Sequence, residues 1–551
     1  MKRLAGFVFV VAFAFYFWGG QTQGSVRDEG YYFEAAEQYS GWYVELGQNL
    51  LRGRPQQSFT RANIDKWFSY NHEHPALMKT LFGLSWRLWK PLVKQGGALH
   101  SLFNEEVAFR LPAYALSALM VMVVFLFAAE LSSEYAGLVA AALTIAAPRL
   151  FFDAQLACFD APIAAFWVFV VYGYWRALHD QRWALPAAVL LGLALATKHN
   201  AFFLPPLLVL HYLWLRRDDL RRFKLPPVPR VFWYFASVSI VVYLFCWPWL
   251  WFSTVARFRE YVAFHVNHVY YNMEYFGTNY NKPPFPKSFP YVMTLLTLPF
   301  TTVILATIGM GVLVVRDFLK RRELAAEGQL VSASPTLMGN ASPALLILGN
   351  AIFPMAIITI TGAPIFGATK HFHASIPFLA IAAGVAIETV VSKLSQHRAA
   401  RLAAALIVCT PAVLDTYRSH PFGLSHYNVL AGGPQGGATL GMNRQFWGYP
   451  TRSLLPWIDG HARMGAPIYW HDTNQSQLNM HMRVGRLRTD LRNSGMEEPG
   501  VKSSEIAMVI HEKHFNKYEY WIWDFYGTTR PSVVLDHLGV PIVTVYERPK
   551  R

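Results

Sequence analysis

The apolar stretch LAGFVFVVAFAFYFWGG (residues 4–20) is followed closely by the polar segment RDEGYY (residues 27–32). The apolar stretch predicts a helix that enters a membrane, and no convincing small-x-small cleavage site precedes Asp28, so we expect this helix to be retained. Asp28 and Glu29 then lie where the chain leaves the membrane. A carboxylate there can act as a base beside a lipid-borne substrate, so Asp28 is the candidate catalytic base.

The composition is typical of a polytopic membrane protein. The chain has 551 residues, of which 53% are hydrophobic and 15% are charged, which is too apolar and too long for one soluble core. The net charge is +15, but the Lys and Arg clusters fall between apolar runs rather than along one amphipathic face, so we expect no nucleic-acid partner. Cys158, Cys246 and Cys409 lie in apolar segments without CxxC spacing, which argues against a disulfide framework and a thiolate metal site.

Further apolar runs are long enough, or nearly long enough, to cross a membrane. They are residues 107–129, 135–148, 155–178, 184–197, 200–215, 231–252, 290–315, 342–362, 373–392 and 401–417. With the first helix they predict a polytopic α-helical protein of about eleven transmembrane helices. An N-terminus on the inner side places most of the loop Lys and Arg residues inside, as the positive-inside rule requires.

This threading leaves three larger pieces outside: residues 21–106, residues 253–289 and the tail from residue 418. The first outer loop contains the stretches 33–52 and 77–89, whose pattern predicts amphipathic helices on the membrane surface. We therefore divide the chain into a transmembrane catalytic module (residues 1–417) and a small extracytoplasmic α/β domain (residues 418–551).

The α/β character of the tail is predicted from four short runs. PIYW (residues 467–470) has a β-like pattern, and residues 505–511, 520–525 and 542–546 extend it. Short strands that alternate with helices are the expected structure.

Several motifs occur in one order along the chain. They are Asp28-Glu29, Glu73-His74-Pro75-Ala76-Leu77, Asp160-Ala161-Pro162, Thr197-Lys198 and the run from Lys370 to Pro377. In this order they resemble the polyprenyl-phosphate-sugar glycosyltransferases of the GT-C superfamily, which include the dolichyl-phosphate-mannose protein mannosyltransferases and the bacterial aminoarabinose transferases of lipid A. The resemblance covers residues 1–450.

The resemblance implies an inverting transfer of a sugar from a polyprenyl-monophosphate donor to a hydroxyl of a protein or lipid acceptor. It places the enzyme in a bacterial plasma membrane, with its active site on the extracytoplasmic face. Asp28 is expected to take the acceptor's proton, while Glu29 and Asp160 orient the reactants. Asp160 alone also fits an ordinary interfacial acid, and Asp153 is placed to share its role.

Substrate contacts are expected from basic and aromatic side chains at the outer face. A leaving phosphate needs fixed positive charge, and Lys198 and Lys370 lie at the outer ends of apolar runs. A lysine that only anchors its helix is the alternative. Tyr275 lies in an aromatic loop that either covers a sugar site or forms an interfacial belt. The full set of predicted substrate-binding residues is Lys198, Lys370, His371, His373, Glu73, His74 and Tyr275.

The sequence leaves open whether the protein binds a divalent metal ion. The imidazoles of His265 and His268 are three residues apart and, with Glu73, offer N and O ligands. The resemblance to the aminoarabinose transferases places a metal on Glu73 and one of these histidines, but a histidine at an interface has many other uses. No cofactor is certain from the sequence.

Three positions separate the chain from the aminoarabinose transferases. Those enzymes have Arg three residues after the first Asp and Lys before paired prolines, where this chain has Tyr31 and His74, and Ala76 replaces the second proline. The departures argue against the aminoarabinose donor and favour a mannosyl-type donor.

Two other classes of protein compete with an enzyme. A transporter or flippase of a lipid-linked sugar predicts broken helices and matched halves around a midplane site. A scaffold held by its C-terminal domain leaves Asp28-Glu29 and Glu73-His74 unexplained. The acids and histidines are concentrated in the outer loops, which favours the enzyme.

Overall fold

Long apolar helices dominate the chain. The structure is a computed structural model that describes residues 1–326, 343–361, 368–395 and 397–550. In chain order the α-helices are α1 (Lys2–Gly20), α2 (Arg27–Leu51), α3 (Arg61–Phe68), α4 (Leu77–Val93), α5 (Glu105–Leu131), α6 (Glu134–Ile145), α7 (Pro148–Asp153), α8 (Asp160–His179), α9 (Ala184–Leu195), α10 (Leu204–Leu215), α11 (Arg217–Arg221), α12 (Arg230–Phe245), α13 (Thr254–Val266), α14 (Phe289–Thr297), α15 (Phe300–Ala326), α16 (Pro343–Thr361), α17 (Ser375–Leu394), α18 (Arg398–Ser419), α19 (Gly433–Thr439), α20 (Leu455–His461), α21 (Gln475–Arg483), α22 (Glu497–Ser503) and α23 (Asn516–Tyr526).

Six helices in the described part of the chain, α1, α5, α8, α15, α17 and α18, are long and apolar enough to cross a membrane. Shorter apolar helices include α6, α9, α12 and α16. The prediction of a membrane protein is confirmed, and the predicted run 342–362 corresponds to α16 except for its two ends, which lie outside the described residues.

The predicted span 290–315 is wrong as one helix. It is divided into α14 and α15, with Leu298 extended at φ −83° and ψ 148°. Leu298 precedes Pro299, and the residue before a proline is driven out of the helical conformation. The break therefore has a local cause in the sequence.

A buried ion-pair network joins the start of α2 to α5. Both oxygens of Glu29 accept hydrogen bonds from the Arg110 guanidinium, at 2.8 and 2.7 Å, and Arg110 also contacts Glu106 at 3.1 Å. All three side chains have no solvent exposure. The backbone N–H of Ala157 donates to Glu29 at 2.7 Å, so the network also reaches the loop before α8.

The tail contains a mixed five-stranded sheet. The strands within the described residues are β1 (Met273–Tyr275), β2 (Thr278–Tyr280), β3 (Pro467–Trp470), β4 (Arg492–Asn493), β5 (Ile506–Ile510), β6 (Val533–His537) and β7 (Val540–Glu547). The sheet has the order β4-β3-β5-β7-β6, in which β3 is parallel to β4 and β5 while β7 is antiparallel to β5 and β6. β1 and β2 form a separate hairpin in the second outer piece.

Three of the four predicted strand runs in the tail are strands, and residues 520–525 are not. They belong to α23, in which Tyr518, Ile522 and Tyr526 are buried at helical spacing. Residues four apart on a helix share a face, so this side packs on the sheet while the rest of the aromatic run faces outward.

The packing of the tail changes along its length. Residues such as Tyr427 and Trp447 belong to the same apolar core as the membrane helices, whereas two separate apolar clusters lie within residues 454–546. The domain boundary at residue 418 remains a prediction.

Substitution of Arg110 with Met should strongly destabilise the protein. It leaves Glu29 and Glu106 as buried carboxylates without their cation, which costs about 3–5 kcal/mol. The melting temperature of the detergent-solubilised protein measures this. The matched control is Arg61→Met, which removes an exposed pair with Asp65 and should change stability by less than about 1 kcal/mol. Equal melting temperatures for the two variants would contradict the anchoring role of Arg110.

Candidate active site

A polar cavity with a volume of about 460 Å³ is walled by segments that are distant in sequence. It lies between the start of α2, the loop before and after the β1–β2 hairpin, the turn at Lys370 and the tail. Every one of these segments was predicted to lie on the outer side of the membrane. Much of the wall is aromatic, with Tyr270, Tyr271, Phe446, Trp447, Tyr469, Trp470, Phe515 and Tyr518.

Asp28 lies in the first turn of α2, next to this cavity. Its carboxylate Oδ2 is 3.7 Å from the Nζ of Lys370, and its side chain is 24% exposed. The start of α2 is also favourable for a negative charge because the helix dipole is positive there. The predicted base and one predicted phosphate-binding lysine are therefore neighbours.

Lys370 lies between two spaces. Its Nζ is 3.8 Å from the centre of the Trp447 ring, on the wall of the large cavity. It also lines a small pocket of about 20 Å³ together with Asp160, Asn200 and His371. The rest of this pocket is apolar and comes mostly from α8 and α16, with Ile163, Trp167, Ile357 and Ile358 among its residues. Lys370 thus connects an aromatic, polar cavity with an apolar pocket between membrane helices.

Asp160 and Lys198 form a buried ion pair beside Lys370. The Nζ of Lys198 is 2.6 Å from Asp160 Oδ1, and the two side chains are 10% and 6% exposed. Asp160 begins α8, and Lys198 follows α9. Two cations and two carboxylates are consequently concentrated where α2, α8 and the turn at Lys370 meet.

The tail holds the start of α2 in place. Arg27 Nη1 is 2.6 Å from Asp472 Oδ1, and the side-chain amide of Asn474 donates to the Arg27 carbonyl at 2.7 Å. The Arg27 N–H donates to the Trp447 carbonyl at 2.9 Å. Burial raises the pKa of Asp472, although the charge of Arg27 opposes this rise. The residue next to Asp28 is therefore fixed from the tail side.

Three predicted site residues have contacts that keep them out of both spaces. Glu29 is paired with Arg110. The Nδ1 of His373 is 2.7 Å from buried Asp153, and its Nε2 is bonded to Thr369. The hydroxyl of Tyr275 is bonded to Ser288, while its neighbours Tyr270 and Tyr271 line the cavity instead. The three side chains are therefore bonded within the protein and line neither the large cavity nor the small pocket.

Glu73 and His74 lie in a loop that is held by a buried lysine. Lys79 Nζ donates to the carbonyl of His74 at 2.9 Å and to the carbonyl of Asn71. Burial and the charges of Lys79 and other nearby cations hold the pKa of His74 well below its usual range. His74 therefore presents a neutral imidazole, which packs against the rings of His265 and Phe159.

The predicted metal ligands Glu73, His265 and His268 do not converge. Within the described ranges, a group of three potential ligands whose donor atoms approach within 4.8 Å is formed by Glu274, Glu512 and His514. The Nδ1 of His265 is used by the carbonyl of Tyr261, and Glu73 accepts a hydrogen bond from Asn71 at 2.7 Å. The three predicted residues do not form a ready metal site in this structure.

Arg27, Asp472 and Trp447 are parts of the site that were not predicted from the sequence. One signal was available: Asp472 comes two residues after β3, and polar residues at the carboxyl ends of strands in a mixed α/β sheet often face a binding site. The partner of Asp472 was not predictable, because Arg27 lies 445 residues away in sequence.

Comparison with known proteins agrees with this architecture. Residues 97–252 match the family model described as dolichyl-phosphate-mannose-protein mannosyltransferase. The structure of ArnT from Cupriavidus metallidurans in the apo state is 15% identical in sequence, with a TM-score of 0.50 over 99% of this chain and 98% of that one. The Archaeoglobus fulgidus oligosaccharyltransferase is 12% identical, with a TM-score of 0.48 over 96% of this chain and 72% of that one.

The resemblance predicted from the ordered motifs is confirmed by the family match over residues 97–252, and the chain shares the fold of the ArnT structure. The sequence matches none of the curated proteins compared with it.

Substitution of Asp472 with Asn should loosen the start of α2. The lost ion pair is partly exposed and should contribute about 1–2 kcal/mol to the local stability of this helix end. Backbone amides near Arg27 should therefore exchange hydrogen roughly 5- to 30-fold faster. Hydrogen–deuterium exchange with mass spectrometry measures this. Lys517→Met is the control, because it breaks the exposed pair with Glu497 in the tail and should leave the exchange near Arg27 unchanged. Unchanged exchange in Asp472→Asn would show that the tail does not hold α2.

Proposed function

We propose that the protein transfers a sugar from a polyprenyl-monophosphate donor to a hydroxyl group of a protein or lipid acceptor, with inversion at the anomeric carbon. The observation that carries this proposal is the placement of Lys370, in contact with Asp28 and in the wall of both the aromatic cavity and the apolar pocket. The description of the family that matches residues 97–252 supports a lipid-phosphate sugar donor and favours a mannosyl-type sugar.

The donor is proposed to bind with its lipid chain toward the apolar pocket and its phosphate at Lys370. The pocket is lined by side chains of α8 and α16, which are apolar helices of the membrane region. The ammonium of Lys370 is then next to the oxygen that becomes negative as the donor breaks. Fixed charge in a site with little water stabilises this oxygen without reorganisation.

The acceptor is proposed to enter through the aromatic cavity. Aromatic faces stack on sugar rings and on flat or apolar acceptor groups, and Asn272, Asn281 and Asn443 offer hydrogen bonds on the same wall. The cavity is framed by the pieces predicted to lie outside the membrane, so we place the reaction on the extracytoplasmic face of a bacterial plasma membrane.

The reaction is a single displacement. The acceptor oxygen attacks the anomeric carbon as its proton passes to the carboxylate of Asp28, and the bond from that carbon to the phosphate oxygen breaks. Polyprenyl phosphate leaves with the bonding electrons, beside Lys370. Because one carboxylate acts as base and none acts as nucleophile, the configuration of the sugar is inverted. Lys198 adds positive charge near the phosphate, while its partner Asp160 holds it in position.

Substitution of Asp28 with Asn should lower the turnover number roughly 100- to 10,000-fold, because the amide cannot take the proton. The measurement is transfer of radiolabel from polyprenyl-phosphate sugars in membranes that contain the protein. Glu45→Gln is the matched control, since it removes a carboxylate from the same helix about 25 Å away.

Normal transfer by a folded Asp28→Asn protein would exclude Asp28 as the base. If the labelled donor crossed the membrane of sealed vesicles and no label reached an acceptor, the result would contradict the enzyme and support a flippase.

Substitution of Lys370 with Met should reduce the turnover number roughly 100- to 1,000-fold, because the developing charge loses its nearest cation. Lys370→Arg keeps a cation and should retain part of the activity. Initial rates at several donor concentrations separate the effect on turnover from the effect on donor affinity. Equal activity of the Met and Arg variants would show that the positive charge at this position is not used.

A further inference from the structure

A second group of ionisable side chains lies at the edge of the large cavity. Glu274 belongs to the β1–β2 hairpin, and Glu512 and His514 follow β5 in the tail. One donor atom from each lies within 4.8 Å of the other two. Glu512 and His514 also line the cavity, on the same wall as Asp472.

The carboxylates of this group are buried with few partners. Glu274 and Glu512 are 4% and 7% exposed. Glu274 Oε1 accepts a hydrogen bond from the Lys513 N–H at 2.5 Å. Among the described residues no hydrogen bond reaches the Glu512 carboxylate, whose nearest opposite charge is His514 Nδ1 at 3.7 Å. That nitrogen is itself buried without a hydrogen-bond partner.

Such an arrangement is unfavourable unless a further cation is present. Among the described residues, the one ion-pair contact to either carboxylate is the 3.7 Å approach of His514 Nδ1 to Glu512. Two buried carboxylates beside an imidazole nitrogen that has no hydrogen-bond partner are suited to a metal ion.

We propose that Glu274, Glu512 and His514 bind a divalent metal ion of the zinc or manganese class. Two carboxylate oxygens and one imidazole nitrogen suit these ions, whereas calcium and magnesium prefer oxygen ligands alone. Because Glu512 and His514 line the cavity, the remaining coordination position faces it. The site is independent of Glu73, His265 and His268.

The position of the site gives the metal a structural consequence. One ligand comes from the hairpin of the second outer piece and two come from the tail, so the ion ties these pieces together over the cavity. The same junction is crossed by the Lys513 side chain, which donates to the carbonyl of Gly277 at 3.1 Å. Metal binding therefore stabilises the wall that Asp472 and Arg27 also hold.

The first test is metal content. Full-length protein in detergent is treated with EDTA, dialysed against Zn²⁺ or Mn²⁺ and analysed by mass spectrometry of the metal. We expect tight binding of an ion that is lost in Glu512→Gln and in His514→Ala. Glu497→Gln is the matched control, because it removes a carboxylate from the same cavity wall and should retain the ion. Absence of uptake, or equal uptake by all variants, would overturn the proposal.

A second measurement separates metal binding from simple damage to the fold. In metal-free protein Glu512→Gln should raise the melting temperature, because a neutral amide replaces a buried carboxyl group that has no hydrogen-bond partner among the described residues. With saturating Zn²⁺ or Mn²⁺ the order should reverse, since the natural protein gains stability from binding and the variant does not. A variant that is less stable in both conditions would contradict the site. Neither readout uses sugar transfer, so failure of the proposed function leaves this test intact.

Discussion

The buried pair of Glu29 and Arg110 determines where α2 begins, and the rest of the site depends on that position. Successive residues of an α-helix point about 100° apart, so the two adjacent acids cannot face the same way. Glu29 points into the protein, where Arg110 and the Ala157 N–H compensate its charge. Asp28 consequently points toward Lys370. One acid of the pair provides the anchor and leaves the other available for chemistry.

Much of the fold was predictable because its signals are local. Runs of apolar residues predict helices, and β-branched and aromatic runs predicted β3, β5 and β7 in the tail. Errors arose where a local signal was ambiguous or overruled. Pro299 breaks a run that is apolar throughout, and the aromatic run around Trp521 forms α23 because one of its faces covers the sheet. Short helices such as α6 and α9 fall below the length that spans a membrane unaided.

The charged residues of the candidate site were predictable from the sequence, but the contacts between them were not. Ionisable residues at the ends of apolar runs are costly unless they have a function, which identified Asp28, Asp160, Lys198 and Lys370 from the sequence. The motif order that linked them came from the resemblance to the GT-C enzymes. The contact between Arg27 and Asp472, and the convergence of Glu274 with Glu512, join segments hundreds of residues apart and have no local signal. The tail was therefore predicted as a separate unit rather than as part of the cavity wall.

Lys370 lies between the aromatic cavity and the apolar pocket, and this position also affects how the two products leave the site. In the proposed reaction a spent lipid carrier returns sideways into the bilayer, while the modified acceptor departs into water through the opposite opening. The two products do not have to pass each other, so neither route limits the size of what leaves by the other. Under the proposed reaction, the length of the lipid carrier therefore places no restriction on the acceptor.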